Sequence, residues 1–336
     1  MDSTTATAGH FLKLLLLLLL FSSSEGLSER CHPDDKKALL RIKKDLNSPR
    51  NFISWDPSVD CCQWNIIECD PQTNRVVILS VLLADLNLPM PLSVGDLSHL
   101  EQLIFHKTNL TGPIPQTLSR LSKLRFLDLT WNHLTGPVPS FLGDLKNLDY
   151  IGLSFNNLTG SIPASLSQLP KLTGLLLDRN GLTGGVPKSL ADFQAESFYL
   201  YLSHNQLSGT IPRRWGEANF FTYIDMSRNR IEGDISFLFG KNKSLNFADF
   251  SRNMLQFDMS KMELGKRLGT LNVNHNRITG RLPEGLVELE NIDLNVSYNR
   301  LCGRIPVGEN RHLQSLDYTA YFHNKCLCGE PLPECA

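Results

Sequence analysis

Two aspartates stand at equivalent places along the chain, Asp225 and Asp249, each two residues after an aromatic residue. Paired carboxylates perform glycoside hydrolysis when they face each other across a cleft. These two are 24 residues apart, a spacing that suits neighbouring strands of a repeating sheet, about 5 Å from each other. A flat sheet encloses no substrate. We therefore expect surface carboxylates rather than a catalytic pair, and no enzyme.

Two histidines, His204 and His275, also hold equivalent places. They are three repeats apart, roughly 14 Å along such a sheet, which is too far to share a metal ion. The chain has no GxSxG, HExxH, GxxxxGK[ST] or GxGxxG motif, the signatures of common hydrolases, zinc proteases and nucleotide-binding enzymes. We expect no catalytic residue, no metal and no cofactor.

The eight cysteines form two groups: Cys31, Cys61, Cys62 and Cys69, then Cys302, Cys326, Cys328 and Cys335. Metal-binding CxxC spacing with a neighbouring histidine is missing, so disulfides are the expected state. The repeats described below keep the groups about 45 Å apart, which excludes pairs between them. Within each group the pairing stays open, except that adjacent Cys61 and Cys62 would be strained partners.

The N-terminus carries a targeting signal. Residues 14–21 are an unbroken apolar run behind Lys13, followed by three serines. Such a run spans about 12 Å as a helix, less than half of a bilayer core. It predicts a signal peptide over residues 1–26 and secretion into an oxidising compartment. No later run is long enough for a membrane span. A charged fraction of 20% and a net charge of −1 exclude a disordered chain and a basic nucleic-acid binder.

A repeat of 23 to 25 residues dominates the rest of the chain. Its marker is an asparagine, found at Asn132, Asn156, Asn180, Asn205, Asn229, Asn253, Asn276 and Asn299. Thr108 and Ala84 hold the same place upstream, so ten repeats fill residues 75–306. Apolar residues five and three positions before the marker lie on one face of a short strand. The asparagine can satisfy backbone groups in the buried turn that follows.

A repeat of this length also suits an array of helices, but glycine and proline in nearly every unit disfavour it. One coil cannot bury its own apolar face, so the coils must stack. The sequence predicts an α/β repeat fold: a right-handed leucine-rich-repeat solenoid of ten coils with a concave parallel β-sheet. Caps are expected over residues 27–74, with a helix at 34–46, and over residues 307–336. The coil after Asn253 has Phe257 in place of the usual glycine, so we expect it to be irregular.

Aromatic and charged residues recur at the outward positions of the concave strands and along their edge. They are Phe126, Asp128, Trp131, Tyr150, Phe155, Asp178, Arg179, Tyr199, Tyr201, His204, Tyr223, Asp225, Arg228, Phe247, Asp249, Arg252 and His275. Aromatic residues and arginine are the usual anchors of protein interfaces. We expect this strip to bind a folded protein partner. Pairing of Arg228 and Arg252 with Asp225 and Asp249 is the alternative for those four residues.

Four Asn-x-Ser/Thr sequons predict N-glycosylation, at Asn109, Asn157, Asn242 and Asn295. Asn109 and Asn157 follow a marker directly and are expected to be accessible. Asn295 lies on a concave strand, where a glycan would block the C-terminal end of the face.

The repeat unit LxxLxLxxNxLxGxIP resembles the extracytoplasmic leucine-rich repeats of plants. Residues 60–64 (DCCQW), residues 321–329 (YFHNKCLCG) and residues 295–299 (NVSYN) are more specific, and with ten repeats the chain resembles the plant polygalacturonase-inhibiting proteins. The resemblance implies a secreted cell-wall glycoprotein of plant defence that blocks fungal or insect polygalacturonases through its concave face. It implies the pairs Cys31–Cys61, Cys62–Cys69, Cys302–Cys326 and Cys328–Cys335. It also implies that Thr173 and Asn246, at strand starts, tune which enzyme is recognised.

The chain departs from that family in its charge. Relatives are often basic, whereas this chain is close to neutral, so any binding to pectin itself is expected to be weak. We expect a monomer. Proteins of the same build include ice-binding proteins and adaptors for receptor ectodomains, and both remain alternatives. Ice binding calls for a regular row of threonine or asparagine, and the concave rows are mixed.

Overall fold

The structure is a computed structural model that describes residues 30–193, 195–309 and 311–335. The predicted signal peptide, residues 1–26, lies outside the described residues. Over the described ranges, no helix has both the length and the apolar character that a bilayer crossing requires.

The regular elements of the described ranges are short. The α-helices are α1 (Pro33–Asp45) and α2 (His312–Ser315), and the other helical segments are 3₁₀ helices of three to five residues. The strands are β1 (Ile67–Cys69), β2 (Val76–Leu82), β3 (Gln102–His106), β4 (Thr111–Pro113), β5 (Phe126–Asp128), β6 (His133–Pro137), β7 (Tyr150–Gly152), β8 (Asn157–Gly160), β9 (Gly174–Leu176), β10 (Gly181–Gly184), β11 (Phe198–Tyr201), β12 (Gln206–Thr210), β13 (Phe221–Asp225), β14 (Arg230–Gly233), β15 (Phe247–Asp249), β16 (Met254–Leu255), β17 (Thr270–Asn272), β18 (Asp293–Asn295), β19 (Cys302–Arg304) and β20 (Cys326–Cys328).

One long sheet runs through all the coils. Its order is β1-β2-β3-β5-β7-β9-β11-β13-β15-β17-β18. β1 pairs antiparallel with β2, and the strands from β2 to β18 are parallel, one from each coil. Leu127 lies opposite Leu103 on one side and Ile151 on the other, which stacks the inward side chains into one core. The predicted leucine-rich-repeat solenoid of ten coils is confirmed.

A second parallel sheet was not predicted. It joins the segments just after the markers in the order β16-β14-β12-β10-β8-β6-β4. Each of these strands is two to five residues long and most end in glycine or proline, a composition that indicates a loop. These segments form strands because the neighbouring coils supply their hydrogen-bond partners, which the local sequence alone does not indicate. In the coil after Asn253, where glycine is missing, β16 is only two residues long.

The marker asparagines hold the coils together from inside. Asn156 Nδ2 donates to the carbonyls of Leu129, at 2.9 Å, and Leu153, at 3.1 Å, while its Oδ1 accepts from the Leu134 N–H at 2.9 Å. Asn132 bonds the neighbouring coil in the same way, including the Leu110 N–H at 2.9 Å. Each buried amide is therefore satisfied, and it satisfies backbone groups of the coil before its own.

Caps cover both ends of the stack. The helix α1 is one residue displaced from the predicted 34–46, and its buried Asp35 accepts from Arg75 and from the Val76 N–H at 2.9 Å. At the other end the buried Tyr321 hydroxyl donates to Leu313 O at 2.8 Å. The disulfides are Cys31–Cys61, Cys62–Cys69, Cys302–Cys326 and Cys328–Cys335, the pairing that the family resemblance implies.

Candidate protein-binding surface

Four aromatic side chains meet on the outer face of the long sheet, the face turned away from the core. We call Tyr199, Tyr201, Tyr223 and Phe247 the tyrosine cluster. The ring centres of Tyr223 and Phe247 are 4.0 Å apart and those of Tyr201 and Tyr223 are 4.4 Å apart. Tyr199 is 43% exposed, and its ring lies 6.4 Å from that of Tyr223. The strands β11, β13 and β15 place these rings in register. They form a continuous apolar platform with hydroxyl groups.

A second aromatic pair lies towards the N-terminal coils. Phe126 and Tyr150 stack with ring centres 4.4 Å apart. A Cβ atom built on Gly174 would approach the Tyr150 ring to 3.0 Å, so the ring folds over that glycine. Burial raises the pKa of Tyr150 to about 12. Gly174 thus separates this pair from the tyrosine cluster.

Three of the predicted aspartates accept hydrogen bonds from backbone N–H groups just beyond the ends of their own strands. Asp128 accepts from the Thr130 N–H at 2.9 Å, Asp225 from the Ser227 N–H at 3.0 Å, and Asp249 from the Ser251 N–H at 2.8 Å. Asp225 and Asp249 face each other across neighbouring strands on an open sheet. This arrangement is structural and provides negative charge, and it is not the geometry of a hydrolase cleft.

Two of the carboxyl groups have raised pKa values. Burial raises the pKa of Asp178, and the nearby charge of Asp225 adds to the effect. The pKa of Asp249 is raised for the same two reasons. Asp178 accepts a short hydrogen bond from the Ser154 hydroxyl. Burial therefore favours the protonated form of both groups, and a nearby positive charge would lower each pKa again.

The arginines of the edge form no ion pairs with these aspartates, within the described residues. Among the described residues, Arg179, Arg228 and Arg252 form no ion pair. The Arg179 guanidinium lies over the Phe155 ring, 5.0 Å from its centre. The alternative that Arg228 and Arg252 pair with Asp225 and Asp249 is therefore not what the structure contains. Both arginines are exposed and free to bind a partner's carboxylates.

The residue before each marker adopts a left-handed backbone conformation. This edge row consists of Lys107, Trp131, Phe155, Arg179, His204, Arg228, Arg252, His275 and Tyr298, with φ from 53° to 58°. None is glycine, and such a conformation costs about 1–2 kcal/mol for an ordinary residue. The marker amide stabilises it by bonding carbonyls two and three residues earlier, as Asn156 does with Ser154 and Leu153. The turn aims each edge side chain out of the coil.

The two edge histidines are poor cations. Burial lowers the pKa of His204, and the charges of Arg179 and Arg228 lower it further. Burial and the charges of Arg252 and Arg228 act likewise on His275. A lowered pKa disfavours the charged form of both rings, so the arginines are the stronger cations of the edge row. Their neighbours come from coils about 24 residues away, so this was hidden in the linear sequence.

Not every outward position is exposed. The positions two before the markers are mostly buried: Thr130, Ser154, Ser203, Ser227, Ser251 and Ser297. Only Asp178 in that row brings a charge. Thr173 and Asn246, at the strand starts, are exposed, and they bond backbone carbonyls of Asp149, at 3.0 Å, and Arg267, at 2.7 Å.

The four sequons differ in accessibility. Asn157 and Asn242 are exposed, whereas Asn109 and Asn295 are half-buried. Asn109 Nδ2 donates to Asp85 at 2.7 Å. Asn295 Oδ1 accepts from the Ser297 hydroxyl at 2.8 Å, so its side chain is turned along its own strand.

Family models match parts of the chain. The model described as leucine rich repeat N-terminal domain matches residues 32–70. The model described as leucine rich repeat matches residues 123–145, 147–169, 198–217 and 267–289.

Whole-length relatives are more informative. The chain is 52% identical to a polygalacturonase inhibitor of Vitis vinifera, over 96% of both chains. It is 53% identical to polygalacturonase inhibitor 2 of Arabidopsis thaliana, over 97% of this chain and 98% of that one.

Among solved structures, a plant ice-binding protein superposes with a TM-score of 0.87 at 47% identity, over 91% of this chain and 99% of that chain. The structure of PEPR1–AtPEP1 has a TM-score of 0.67 at 30% identity, over 81% of this chain and 42% of that one. The high identity over the full length decides the family. The chain belongs to the polygalacturonase inhibitor family of leucine-rich-repeat proteins.

Proposed function

We propose that the protein inhibits fungal or insect polygalacturonases by binding them on the outer face of the long sheet. The observation that carries this is the identity of about half the residues, over nearly the whole chain, with named polygalacturonase inhibitors. The tyrosine cluster supports the choice of surface, because partly exposed aromatic rings beside free arginines are the usual anchors of protein interfaces.

The charges of the face suit such an enzyme. A polygalacturonase holds an acidic polymer between catalytic carboxylates and basic subsites. Exposed Arg228 and Arg252 would meet the carboxylates, while Asp178 and Asp249 would meet the basic rim. Charge complementarity of this kind sets orientation and association rate. The partially exposed rings of Tyr201 and Tyr223 would supply the apolar contact between the two charged regions.

We place the protein in the plant cell wall, in a defence role. Four disulfides support an oxidising, extracytoplasmic compartment. The near-neutral net charge of −1 supports no more than weak binding to pectin. A monomer suffices for the role, since the surface is complete within one chain.

The direct test incubates the purified, secreted protein with a panel of fungal polygalacturonases and measures the release of reducing ends from polygalacturonate. We expect inhibition of at least one enzyme. The Tyr201→Ala, Tyr223→Ala double variant should bind about 30-fold more weakly or worse, as losing a central anchor costs about 2 kcal/mol. Tyr318→Ala is the control, because Tyr318 is 55% exposed but lies in the C-terminal cap. Equal inhibition by the double variant and wild type would refute the chosen face.

Ice binding is the second candidate, and one row of side chains favours it. Thr111, Thr135 and Thr159 stand at equivalent places on the second sheet, and Thr183 and Ser208 continue the row. The row ends at Glu232. This row lies outside the concave rows, whose residue types are mixed. The structural similarity to a plant ice-binding protein adds support, although two of the threonines belong to sequons.

A freezing assay separates the two candidates. If the threonine row binds ice, the wild type should show thermal hysteresis, and Thr135→Tyr should abolish it while leaving polygalacturonase inhibition intact. No hysteresis in the wild type would eliminate the second candidate without touching the first.

A further inference from the structure

One marker asparagine is followed directly by glycine. Asn180 and Gly181 form the only Asn-Gly step in the sequence, and the other markers precede larger residues. Glycine has no Cβ to shield its backbone nitrogen, so that nitrogen can approach the side-chain carbonyl of the preceding asparagine closely. An Asn-Gly step is therefore the dipeptide in this chain most prone to lose the asparagine amide.

The native fold holds the Asn180 amide away from that reaction. Asn180 Nδ2 donates to the carbonyls of Leu153, at 2.9 Å, and Leu177, at 3.1 Å, and its Oδ1 accepts from the Leu158 N–H at 3.0 Å. The side chain cannot turn towards the nitrogen of Gly181 unless these hydrogen bonds break. The reaction therefore needs an opened coil.

The segment that follows Asn180 is weakly held. Residues 181–185 contain three glycines, whereas the equivalent segments 157–161 and 206–210 contain one each. The strand β10 pairs with each of its neighbours over two residues, whereas β6 with β8 and β12 with β14 pair over three. Glycine gains the most backbone freedom when a strand opens, so we expect this coil to open before its neighbours.

Asn180 is also less covered than the markers on either side. It is half-buried, whereas Asn156 and Asn205 are buried. Gly181 contributes no side chain that could cover it. The reactive pair therefore lies near solvent, in the coil that opens most easily.

We propose that Asn180 is a deamidation site whose rate is set by the opening of its coil. The Gly181 nitrogen gives its proton to a base in the solvent and bonds to Asn180 Cγ, while Nδ2 takes up a proton and leaves as ammonia. Water then opens the five-membered succinimide to aspartate or isoaspartate. Neither product can donate to the carbonyls of Leu153 and Leu177, and isoaspartate also lengthens the backbone by one carbon. The coil cannot close again in its native form, so the opening becomes irreversible.

The modification would damage the centre of the proposed binding surface. Arg179, in the edge row, directly precedes Asn180 and keeps a φ of 53°. The Asn180 amide stabilises that turn by donating to the carbonyls of Leu177, at 3.1 Å, and Asp178, at 3.3 Å. Without the amide, Arg179 and Asp178 lose their fixed positions. This consequence rests on the proposed function, whereas the deamidation itself does not.

Peptide mass spectrometry of the wild-type protein tests the proposal without a variant. The full secreted chain would be kept in mildly alkaline buffer and, in parallel, in the same buffer with enough urea to unfold it. We expect conversion of Asn180 to be at least about 30-fold slower in buffer than in urea, because the native coil is mostly closed. Gly181→Gln, which copies the residue of the next coil, should make conversion slow in both solutions.

Two further variants separate local opening from global unfolding. Asn205→Ala removes hydrogen bonds to the Leu177 carbonyl, at 3.0 Å, and from the Leu182 N–H, at 3.0 Å, so conversion of Asn180 in buffer should rise at least about tenfold. Asn299→Ala removes the same kinds of hydrogen bond near the C-terminal end of the array. It should leave the rate unchanged, because the coils of a repeat protein stabilise mainly their neighbours.

Three results would overturn the proposal: equal conversion in buffer and in urea, no conversion in urea, or equal rates in Asn205→Ala and Asn299→Ala. Polygalacturonase inhibition is measured on the same aged samples. We expect it to fall in proportion to conversion, and constant inhibition despite conversion would refute the consequence for the surface. Fresh wild type that fails to inhibit would refute the proposed function and leave the conversion rates unaffected.

Discussion

The marker asparagines are the residues whose roles follow most directly from the sequence. Asparagine alone combines two amide donors with an acceptor on a short side chain, and a buried turn between coils needs both. The charge of His204 is the opposite case. Its lowered pKa depends on burial and on Arg179 and Arg228, which lie in neighbouring coils. The residue type and its spacing therefore do not predict this shift.

The asparagine row should carry much of the stability. Asn156→Ala would leave the Leu134 N–H and the Leu129 carbonyl, both bonded in the native state, buried without a partner. We expect a loss of about 2–3 kcal/mol in the free energy of unfolding, measured by urea denaturation. Asn291→Ala is the control, since Asn291 is exposed. A loss below about 0.5 kcal/mol for Asn156→Ala would show that water replaces the hydrogen bonds of the marker asparagine.

The raised pKa values of Asp178 and Asp249 predict the sign of a pH effect. Each carboxyl binds its proton more tightly in the folded chain than in the unfolded chain, so it stabilises the fold as the pH falls through its raised pKa towards the ordinary value of 3.8. An Asn side chain imitates the protonated form. The free energy of unfolding of Asp178→Asn, relative to wild type, should therefore be higher at pH 7 than at pH 4.5.

Asp70 provides a control of opposite sign. Hydrogen bonds from Thr73 lower its pKa, so its stabilising effect is present above the ordinary pKa and lost as the pH falls. The free energy of unfolding of Asp70→Asn, relative to wild type, should be lower at pH 7 than at about pH 3, below the ordinary pKa. Denaturation curves at pH 7 and pH 4.5 for Asp178→Asn, and at pH 7 and about pH 3 for Asp70→Asn, measure the two differences. The same sign for the two variants would contradict the account.

At the scale of elements, the strands of the long sheet follow from the alternation of leucines, but the conformation of the edge row does not. Its members include tryptophan, phenylalanine and arginine, and none of these prefers φ near +55°. The stacked coils and the marker amide impose it. The second sheet is hidden for a similar reason, because its short strands, rich in glycine and proline, look like loops until the coils are stacked.

Replacing an edge-row residue with glycine should affect the free energy of unfolding and the inhibition of polygalacturonase differently. Arg252 has φ of 54°, so Arg252→Gly removes a strained backbone conformation worth about 1 kcal/mol and also removes an exposed cation. We expect an unchanged or raised free energy of unfolding together with weaker inhibition of polygalacturonase. Thermal denaturation and the inhibition assay measure the two properties on one sample. Strong destabilisation would mean that the Arg252 side chain supports the fold.

At the scale of the whole molecule, stacking turns residues about 24 positions apart into neighbours. The tyrosine cluster spans three coils, and no single repeat contains more than two of its rings. The periodicity predicts the number of coils and the outward rows, because both depend on spacing alone. It does not predict that Gly174 breaks the aromatic row or that the serines are buried, since those depend on how side chains of neighbouring coils share space.

The most direct test of the central claim is hydroxyl-radical footprinting of the complex with a polygalacturonase that the protein inhibits. Oxidation of each aromatic residue is followed by mass spectrometry, with and without the enzyme. We predict strong protection of Tyr199, Tyr223 and Phe247 and no change at Tyr318. Unchanged oxidation of the tyrosine cluster, with protection at the second sheet or at a cap, would contradict binding through the outer face of the long sheet.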